Sequence, residues 1–323
     1  MTGFIYDVLK DLDLASRDTS KLTLILPNKR AGLFLKRDWS SISKATGFLP
    51  DIISIEHFIE ELSQLRLLSN TELVFEFYHV YLELTPPEER DSFDSFSKWA
   101  PIVLQDFNEI DRYLIPQERI FNYLSAIQDL NHWYLRDDKT PLIEKYLAFW
   151  NSLHEFYKTL KDSLLKDHLG YQGLVYRKAA EDISHYMEAN QSTKHVFIGF
   201  NALNTAEQNI LQELLELDQN EVIWDTDSYF FEDTTHSASL FLRGYKNNWK
   251  HYQKKPFTNI ASNFIKPKTF SFVGVQKNIG QVKYVGNLLA TYTKEQLAHT
   301  AIVLADENLL VPLLHSLPEN VDQ

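Results

Sequence analysis

The stretch LTLILPNKRAGLFLKRDW, residues 22–39, joins an apolar run to a segment with helical spacing. Residues 22–27 are a short continuous apolar run, which is typical of a strand buried on both faces of a parallel sheet. Asn28 follows, and apolar residues after it recur at the spacing of one helix face. The stretch therefore predicts a strand, a turn and a helix, which is the repeating unit of α/β proteins.

The same alternation continues on both sides of this stretch. Residues 4–12 have helical spacing, and DIISI, residues 51–55, is a short strand that leads into the helix HFIEEL. It resumes after Gly170 with a helix over YQGLVYRKAAEDISHYM, a strand at HVFIGF (195–200), a helix over AEQNILQELLEL and a strand at EVIWD (221–225). This order predicts a parallel sheet flanked by helices.

Residues 64–168 have a different character, with helical spacing and many Tyr, Phe, Leu and acidic residues. We expect four or five helices there, broken near Pro86-Pro87, Pro101, Pro116 and Pro141, because proline removes a helix hydrogen bond. The predicted domains are an α/β domain from residues 1–63 and 169–265, and a large helical insertion at 64–168.

A second α/β domain is expected to start at residues 266–323. TFSFVGV (269–275) and TAIVLAD (300–306) are the predicted strands, with a helix near 278–292 between them. One strand-helix-strand repeat cannot cover a sheet, so we expect this domain to be truncated and the chain to be a fragment of a longer polypeptide.

The amino-acid composition excludes several classes of protein. The chain has 323 residues, 44% of them hydrophobic and 24% charged, and no cysteine, which excludes disulfides, thiolate nucleophiles and iron–sulfur clusters. The first thirty residues contain no apolar run long enough for a signal peptide or a membrane span. We expect a soluble cytoplasmic protein with no membrane partner.

Basic charge is concentrated within a chain of net charge −12. Residues 234–294 contain no Asp or Glu, and Lys250, Lys254 and Lys255 lie there among Tyr245, Trp249, Tyr252 and Phe257. Lysines interleaved with aromatic side chains are typical of single-strand nucleic-acid binding. The alternative is a surface helix and linker that buries its aromatic side chains. Lys29, Arg30, Lys36 and Arg37 form a second basic patch near a predicted helix N-terminus, which also favours phosphate.

Motifs for nucleotide chemistry are missing. No glycine is followed by lysine and there is no Gly-x-Gly, so the sequence contains neither the phosphate-binding loop nor the dinucleotide-binding fingerprint. We therefore expect no cofactor. Asp225 and Asp227 are weak candidates for a metal site, since two carboxylates at a strand end can share a divalent ion. A solvated acidic loop is the alternative.

The order of segments resembles superfamily 1 DNA helicases. LILPNKRAGLFLKRDW looks like the helicase strand and turn that touch single-stranded DNA, with Asn28, Lys29 and Ala31 in the pattern, and IISIEHFIEEL resembles the next motif. VFIGFNALNTAEQNIL falls where helicases carry the magnesium-binding strand, and there Gly199 and Phe200 replace the Asp and Glu. The resemblance implies a degenerate P-loop NTPase-like sheet without ATPase activity.

More specifically, the segments are similar to the amino-terminal region of AddB-type helicase-nucleases of bacteria, which act at DNA ends in repair and recombination. The resemblance implies a DNA-binding scaffold that is not itself an enzyme, with a PD-(D/E)XK nuclease outside the fragment. The implied DNA contacts are Asn28, Lys29, Arg30, Ser54, Glu56 and His57, together with Lys250, Lys254 and Lys255; the partner is single-stranded DNA or a duplex end.

Two alternatives remain open. The chain could be a protein-interaction scaffold that docks a motor subunit such as a helicase, with incidental basic patches. It could also be a metal-dependent enzyme that uses Asp225 and Asp227.

Overall fold

A computed structural model describes residues 3–12, 19–42, 49–123, 141–258 and 260–321. The chain divides into two compact units, Met1–Ile265 and Lys266–Gln323. No helix in the described ranges is long and apolar enough to cross a membrane.

The first unit contains the described strands. They are β1 Leu22–Leu26, β2 Asp51–Ser54, β3 Arg66–Leu67, β4 Leu169–Gly170, β5 Lys194–Ile198, β6 Glu221–Ile223, β7 Thr226–Asp227 and β8 Ile260–Ala261. Its helices are α1 Phe4–Asp11, α2 Lys29–Ile42, α3 Ile55–Ser63, α4 Asn70–Leu84, α5 Phe93–Arg112, α6 Pro141–Lys166, α7 Gln172–Ala189, α8 Thr205–Leu214, α9 Ser228–Glu232, α10 Leu240–Asn248 and α11 Lys250–Lys254. Residues 117–123 are also helical.

The main sheet has four strands in the order β2-β1-β5-β6, and every neighbouring pair is parallel. The predicted α/β class with a parallel sheet is therefore confirmed. The strand order reverses between β1 and β5, so the chain segments that leave these two strands diverge at the carboxyl edge of the sheet. That edge is where ligands bind in open α/β sheets.

Both faces of this sheet are covered, as the continuous apolar run of β1 predicts. Leu24 and Leu26 face one core with α1 and α2, whereas Ile25 faces a larger core with α3, α7 and α8. All three side chains are at most 1% exposed. Because successive side chains of a strand alternate between faces, an unbroken apolar run is what a sheet covered on both sides requires.

The helical region between β2 and β5 shares the larger core. Phe77 of α4 and Phe107 of α5 are buried in the same cluster as Phe58 and Phe197, which lie against the sheet. The short strands β3 and β4 pair in parallel where this region begins and ends, with the amide of Arg66 donating to the carbonyl of His168 at 2.9 Å.

The expected helix break at Pro101 is wrong. Pro101 lies inside α5, which continues over 20 residues. Proline there removes one backbone hydrogen bond. The buried side chains of Ala100, Val103 and Leu104 keep the helix in place on both sides of it. Pro116 and Pro141 do lie next to helix starts.

A buried polar network ties α5, α6 and α7 together. Asp111 is 0% exposed, and its carboxylate accepts hydrogen bonds from Arg177 Nε and from the hydroxyl of Tyr157, both at 2.5 Å. The hydroxyl of Tyr171 donates to the other carboxylate oxygen. Burial and the neighbouring carboxylate raise the pKa of both tyrosines. Arg177 also donates to two main-chain carbonyls, so this buried ion pair is fully surrounded by partners.

The second unit contains α12 Lys277–Ala290, α13 Lys294–Ala298 and α14 Leu310–Leu314. The helix predicted near 278–292 is confirmed. The strands predicted at 269–275 and 300–306 are wrong, because both segments are irregular in the described structure. Phe270 is 72% exposed and Phe272 is 93% exposed. A strand forms only when a neighbouring backbone accepts and donates its hydrogen bonds, and neither segment has such a neighbour here.

Candidate functional site

The outer face of α2 carries a basic surface. Lys29, Arg30, Lys36 and Arg37 are all exposed there, while Gly32 and Leu35 on the opposite face are buried. The amide of Ala31 donates to Asn28 Oδ1 at 2.9 Å, so Asn28 caps the helix. The sequence prediction that Lys29 and Arg30 lie at the start of a helix is confirmed, and both side chains are accessible to a ligand.

An aromatic ring lies within this basic surface. The guanidinium of Arg37 lies 4.9 Å from the centre of the Phe34 ring, and that of Arg30 lies 5.7 Å from it. Phe34 and its neighbour Leu33 are both exposed. Arg37 also forms an ion pair of 3.0 Å with Asp38. We call Lys29, Arg30, Phe34, Lys36 and Arg37 the α2 basic surface.

Ser54, at the end of β2, and His57, in α3, differ in accessibility. Ser54 is buried, and its hydroxyl accepts from the amide of His57 as the cap of α3. Its side chain is thus occupied in helix capping. His57 is exposed, and its ring lies 3.2 Å from Glu61 and 3.8 Å from Glu60.

Lys29 and His57 do line one pocket, of about 190 Å³. Glu56, Glu60 and Tyr176 line it as well. Two carboxylates next to one lysine make this pocket unfavourable for a phosphate group, since like charges repel at short range. Contacts to a polyanion are therefore better placed on the outer face of α2 than inside this pocket.

The three lysines that the sequence analysis proposes as DNA contacts in residues 234–294 lie in and just after α11. Lys250 and Lys254 are exposed. Lys255 is half-buried, and its ammonium forms an ion pair of 3.0 Å with Asp218. Only the first two therefore extend freely toward solvent.

The aromatic side chains of this segment pack inward around Trp224. Trp224 is buried, and its indole donates to the hydroxyl of Tyr252 at 2.6 Å. Burial raises the pKa of Tyr252 to about 12. Tyr245 and Trp249 are buried too, so the idea that they offer faces to nucleic-acid bases is wrong. Phe257 is half-buried against the same core.

The turn that follows β5 contains a position shaped for glycine. Gly199 has φ +76°, a conformation that other residues rarely adopt. A Cβ atom added there would lie 3.2 Å from the ring of Phe4. A carboxylate at this position would therefore strain the backbone and crowd α1.

Asp225 and Asp227 lie close in sequence but differ in their surroundings. The carboxylate of Asp227 accepts from the main-chain amides of Tyr229 at 3.1 Å, Asn263 at 2.6 Å and Phe264 at 2.9 Å. The Asp227 carboxylate therefore has a structural role, because its hydrogen bonds join this turn to residues 263–264. Both residues line a pocket of about 460 Å³ at the carboxyl ends of β5 and β6. Within the described ranges, no three metal-ligating side chains lie together.

Comparison with known proteins adds no assignment: no protein-family model matches the chain, and no curated protein is significantly similar to it in sequence.

Sequence reasoning nominated Asp225, but it found neither Asn201, which lines the same pocket, nor the Asp111 network. Asn201 follows β5 and Asp225 follows β6, so they meet only because these strands are neighbours in the sheet. Asp111 and Arg177 are 66 residues apart in the chain. For Asn201 and Asp225, the one available sequence signal is that each residue follows a strand. No spacing rule reveals the pairing of Asp111 with Arg177.

Proposed function

We propose that this chain is a catalytically silent, helicase-like module that binds single-stranded DNA or a duplex end as part of an AddB-type helicase-nuclease in bacterial DNA repair and recombination. The α2 basic surface is the observation that carries the proposal. Four basic side chains are exposed on one helix of a protein whose net charge is −12.

The physical basis is contact with phosphates and stacking. Lysine and arginine side chains release counterions when they neutralise phosphates, which supplies most sequence-independent affinity. Phe34, between two guanidinium groups, adds an aromatic face on which a base can stack. Lys250 and Lys254 are exposed on α11, which packs against the other core, and would supply separate phosphate contacts. None of these contacts reads sequence, so binding is expected to be non-specific.

The proposal assigns no catalytic step to the described residues. In this proposal Gly199 takes the place of a helicase carboxylate, and the sequence contains no phosphate-binding loop. The role left to this sheet is to hold α2 in a fixed position, which pre-orders the basic side chains and lowers the entropy cost of binding.

The test is binding of a fluorescently labelled single-stranded oligonucleotide, measured by anisotropy from about 50 to 200 mM salt. We expect a linear fall of log affinity with log salt, and at least about a tenfold loss of affinity for the double variant Lys29→Glu, Arg30→Glu. The control Lys158→Glu, Lys166→Glu reverses two exposed charges on α6 and should bind as the wild type does. Undetectable binding of the wild type at low salt would refute the proposal.

A second candidate function is docking of a motor subunit on the helical region. Phe75 and Phe93 are stacked at 5.1 Å between ring centres and are both exposed, and Ile102 of α5 is exposed as well. Exposed apolar clusters of this kind often mark protein-binding surfaces. Co-purification with a helicase subunit after nuclease treatment, lost in Phe75→Ser, Phe93→Ser, would favour this function over DNA binding.

A further inference from the structure

The pocket at the carboxyl ends of β5 and β6 has the size of a small-molecule site. Its volume is about 460 Å³, and it is built entirely from the first unit. Gly199, Phe200 and Asn201 enter it from the end of β5, and Asp225 enters from the end of β6. The carboxyl edge of a parallel sheet is the common place for ligands in α/β folds.

The polar side of the pocket contains the side chains of Asp225 and Asn201, both of which are exposed to solvent. Within the described part of the chain, neither the carboxylate of Asp225 nor the amide of Asn201 makes a hydrogen bond or ion pair, whereas the Asp227 carboxylate holds three amides. Asp225 keeps contact with solvent, yet the pocket walls desolvate its carboxylate and raise its pKa. A carboxylate in this state is stabilised by a ligand that brings N–H donors.

The other walls of the pocket are mixed. Phe230, Ala238 and Leu242 contribute apolar surface, beside the polar side chains of Thr226 and Ser239. At its rim, the ring of Phe264 lies 4.5 Å from that of Phe230 and 4.7 Å from that of Tyr229. Tyr229 and Phe264 are about half exposed. An aromatic ring in a wall that also carries hydrogen-bonding groups suits a planar heterocycle better than a small, strongly hydrated ion.

We infer that this pocket binds a guanine base, with both oxygens of Asp225 accepting from the N1–H and N2–H₂ groups on its Watson–Crick edge. A carboxylate is an acceptor with two oxygens, and it can receive two parallel N–H donors. Adenine and cytosine each offer one amino group beside a ring nitrogen acceptor, which the carboxylate would repel. The Asn201 amide can donate to an oxygen or nitrogen of the base.

The negative charge of the pocket determines which part of a nucleotide can enter it. Asp225 and Asp227 both line the pocket, so a phosphate is repelled there and must stay outside. Binding of the base is consequently expected to depend little on salt. This distinguishes the pocket from the α2 basic surface, whose contacts with phosphates weaken steeply as salt increases. The two proposals can therefore fail separately.

The experiment is calorimetric titration of the full chain with guanosine, inosine and adenosine. Guanosine should bind most tightly, inosine about tenfold more weakly because it lacks the N2 amino group, and adenosine more weakly still. Asp225→Asn should lower guanosine affinity at least about tenfold, because its amide places a donor against the base donors. The control Glu232→Gln removes a nearby exposed acid that does not line the pocket, and should leave affinity unchanged.

Folding of the variants is checked by thermal melting. Asp225→Asn breaks no hydrogen bond within the described residues, so its melting temperature should equal that of the wild type. Ala238→Phe, which places a larger side chain in the pocket wall, should also abolish guanosine binding. Guanosine monophosphate and a short single strand with one guanine distinguish a free nucleotide from a base within a strand; binding of either, weakened by Asp225→Asn, supports the inference.

Three outcomes would overturn the inference. The first is equal affinity for guanosine and adenosine. The second is tighter binding of agmatine than of guanosine, which would make the site one for cations. The third is no guanosine binding with a dissociation constant below about 1 mM. Loss of DNA binding in Lys29→Glu, Arg30→Glu with guanosine binding retained would support both proposals and show that the pocket and the α2 basic surface act separately.

Discussion

Residues 22–26 and residues 269–275 have the same kind of sequence and opposite structures. LTLIL becomes β1, in the middle of a parallel sheet, with Leu24 at 0% exposure. TFSFVGV has alternating and β-branched apolar residues too, yet it forms no strand, and Phe272 is 93% exposed. The local pattern is therefore not what separates them.

The difference lies in their neighbours. β1 pairs with β2 on one side and β5 on the other, and α2 and α3 cover its two faces. Residues 269–275 have no hydrogen-bonded neighbour in the described structure. An isolated strand gains little, because pairing and burial supply its stability. Strand propensity thus indicates which segments can join a sheet, and the rest of the fold decides which of them do.

The largest expected effect on stability comes from removing the buried Asp111 carboxylate of the first unit. Asp111→Ala leaves the guanidinium of Arg177 buried without its partner, and should lower the free energy of unfolding by about 3–5 kcal/mol. Urea denaturation followed by tryptophan fluorescence measures it, and all six tryptophans lie in the first unit.

Asp94→Ala is the matched control for that measurement. Asp94 pairs with Lys98 at 2.7 Å on the surface of the same helix, and surface pairs contribute little. If both variants lost equal stability, the Asp111 network would not be holding the helical region to the sheet.

Truncating one apolar side chain in β1 and one in residues 269–275 compares the two segments directly. Leu24→Ala should cost about 2–5 kcal/mol because it leaves a cavity between β1 and α2. Phe272→Ala removes more atoms, yet should change the free energy of unfolding by less than about 0.5 kcal/mol, since its ring is in water. Thermal unfolding followed by circular dichroism measures both variants. A large loss for Phe272→Ala would show that residues 269–275 are packed in solution.

The smallest expected effect concerns pH. His195, in β5, is buried beside the Tyr186 hydroxyl, which lies 2.9 Å from its Nε2, and burial lowers its pKa. Below the ordinary histidine pKa of about 6.5, the unfolded chain therefore binds more protons than the folded one. Stability should be complete above that pH and fall as pH decreases, with a slope of at most about 1.4 kcal/mol per pH unit for one proton.

His195→Gln should flatten this dependence, whereas His79→Gln, at an exposed position, should leave it as it is. Part of the slope will remain, because burial also lowers the pKa of His251. The measurement is urea denaturation at several pH values from about 5 to 8. An unchanged slope in His195→Gln would mean that this histidine is protonated, or open to solvent, in the folded protein.

The parts of the fold that depend on local pattern could be predicted from the sequence. Residues 22–26, 51–54 and 194–198 are apolar runs between turn residues, and each became a strand of the sheet. The same reasoning failed at 269–275, where no neighbour completes the strand. At Pro101 it failed because burial of the adjacent residues outweighs one lost hydrogen bond.

The candidate site could be predicted only in part. Lys29 and Arg30 follow a strand and start a helix, and both side chains are exposed there. Ser54 has the same sequence context, yet its hydroxyl is taken by the helix cap. Two of the three amides that donate to Asp227 lie 36 and 37 residues away, beyond the reach of any spacing rule.

The parallel pairing of β1 with β5 has a consequence for synthesis on the ribosome. Leu22 pairs with Lys194, so the second partner of β1 is made roughly 170 residues after it. At about 5–20 residues per second this delay is roughly 10–35 s. One edge of a very apolar strand stays open during that time, and chaperones that hold nascent chains would need to cover it until β5 emerges.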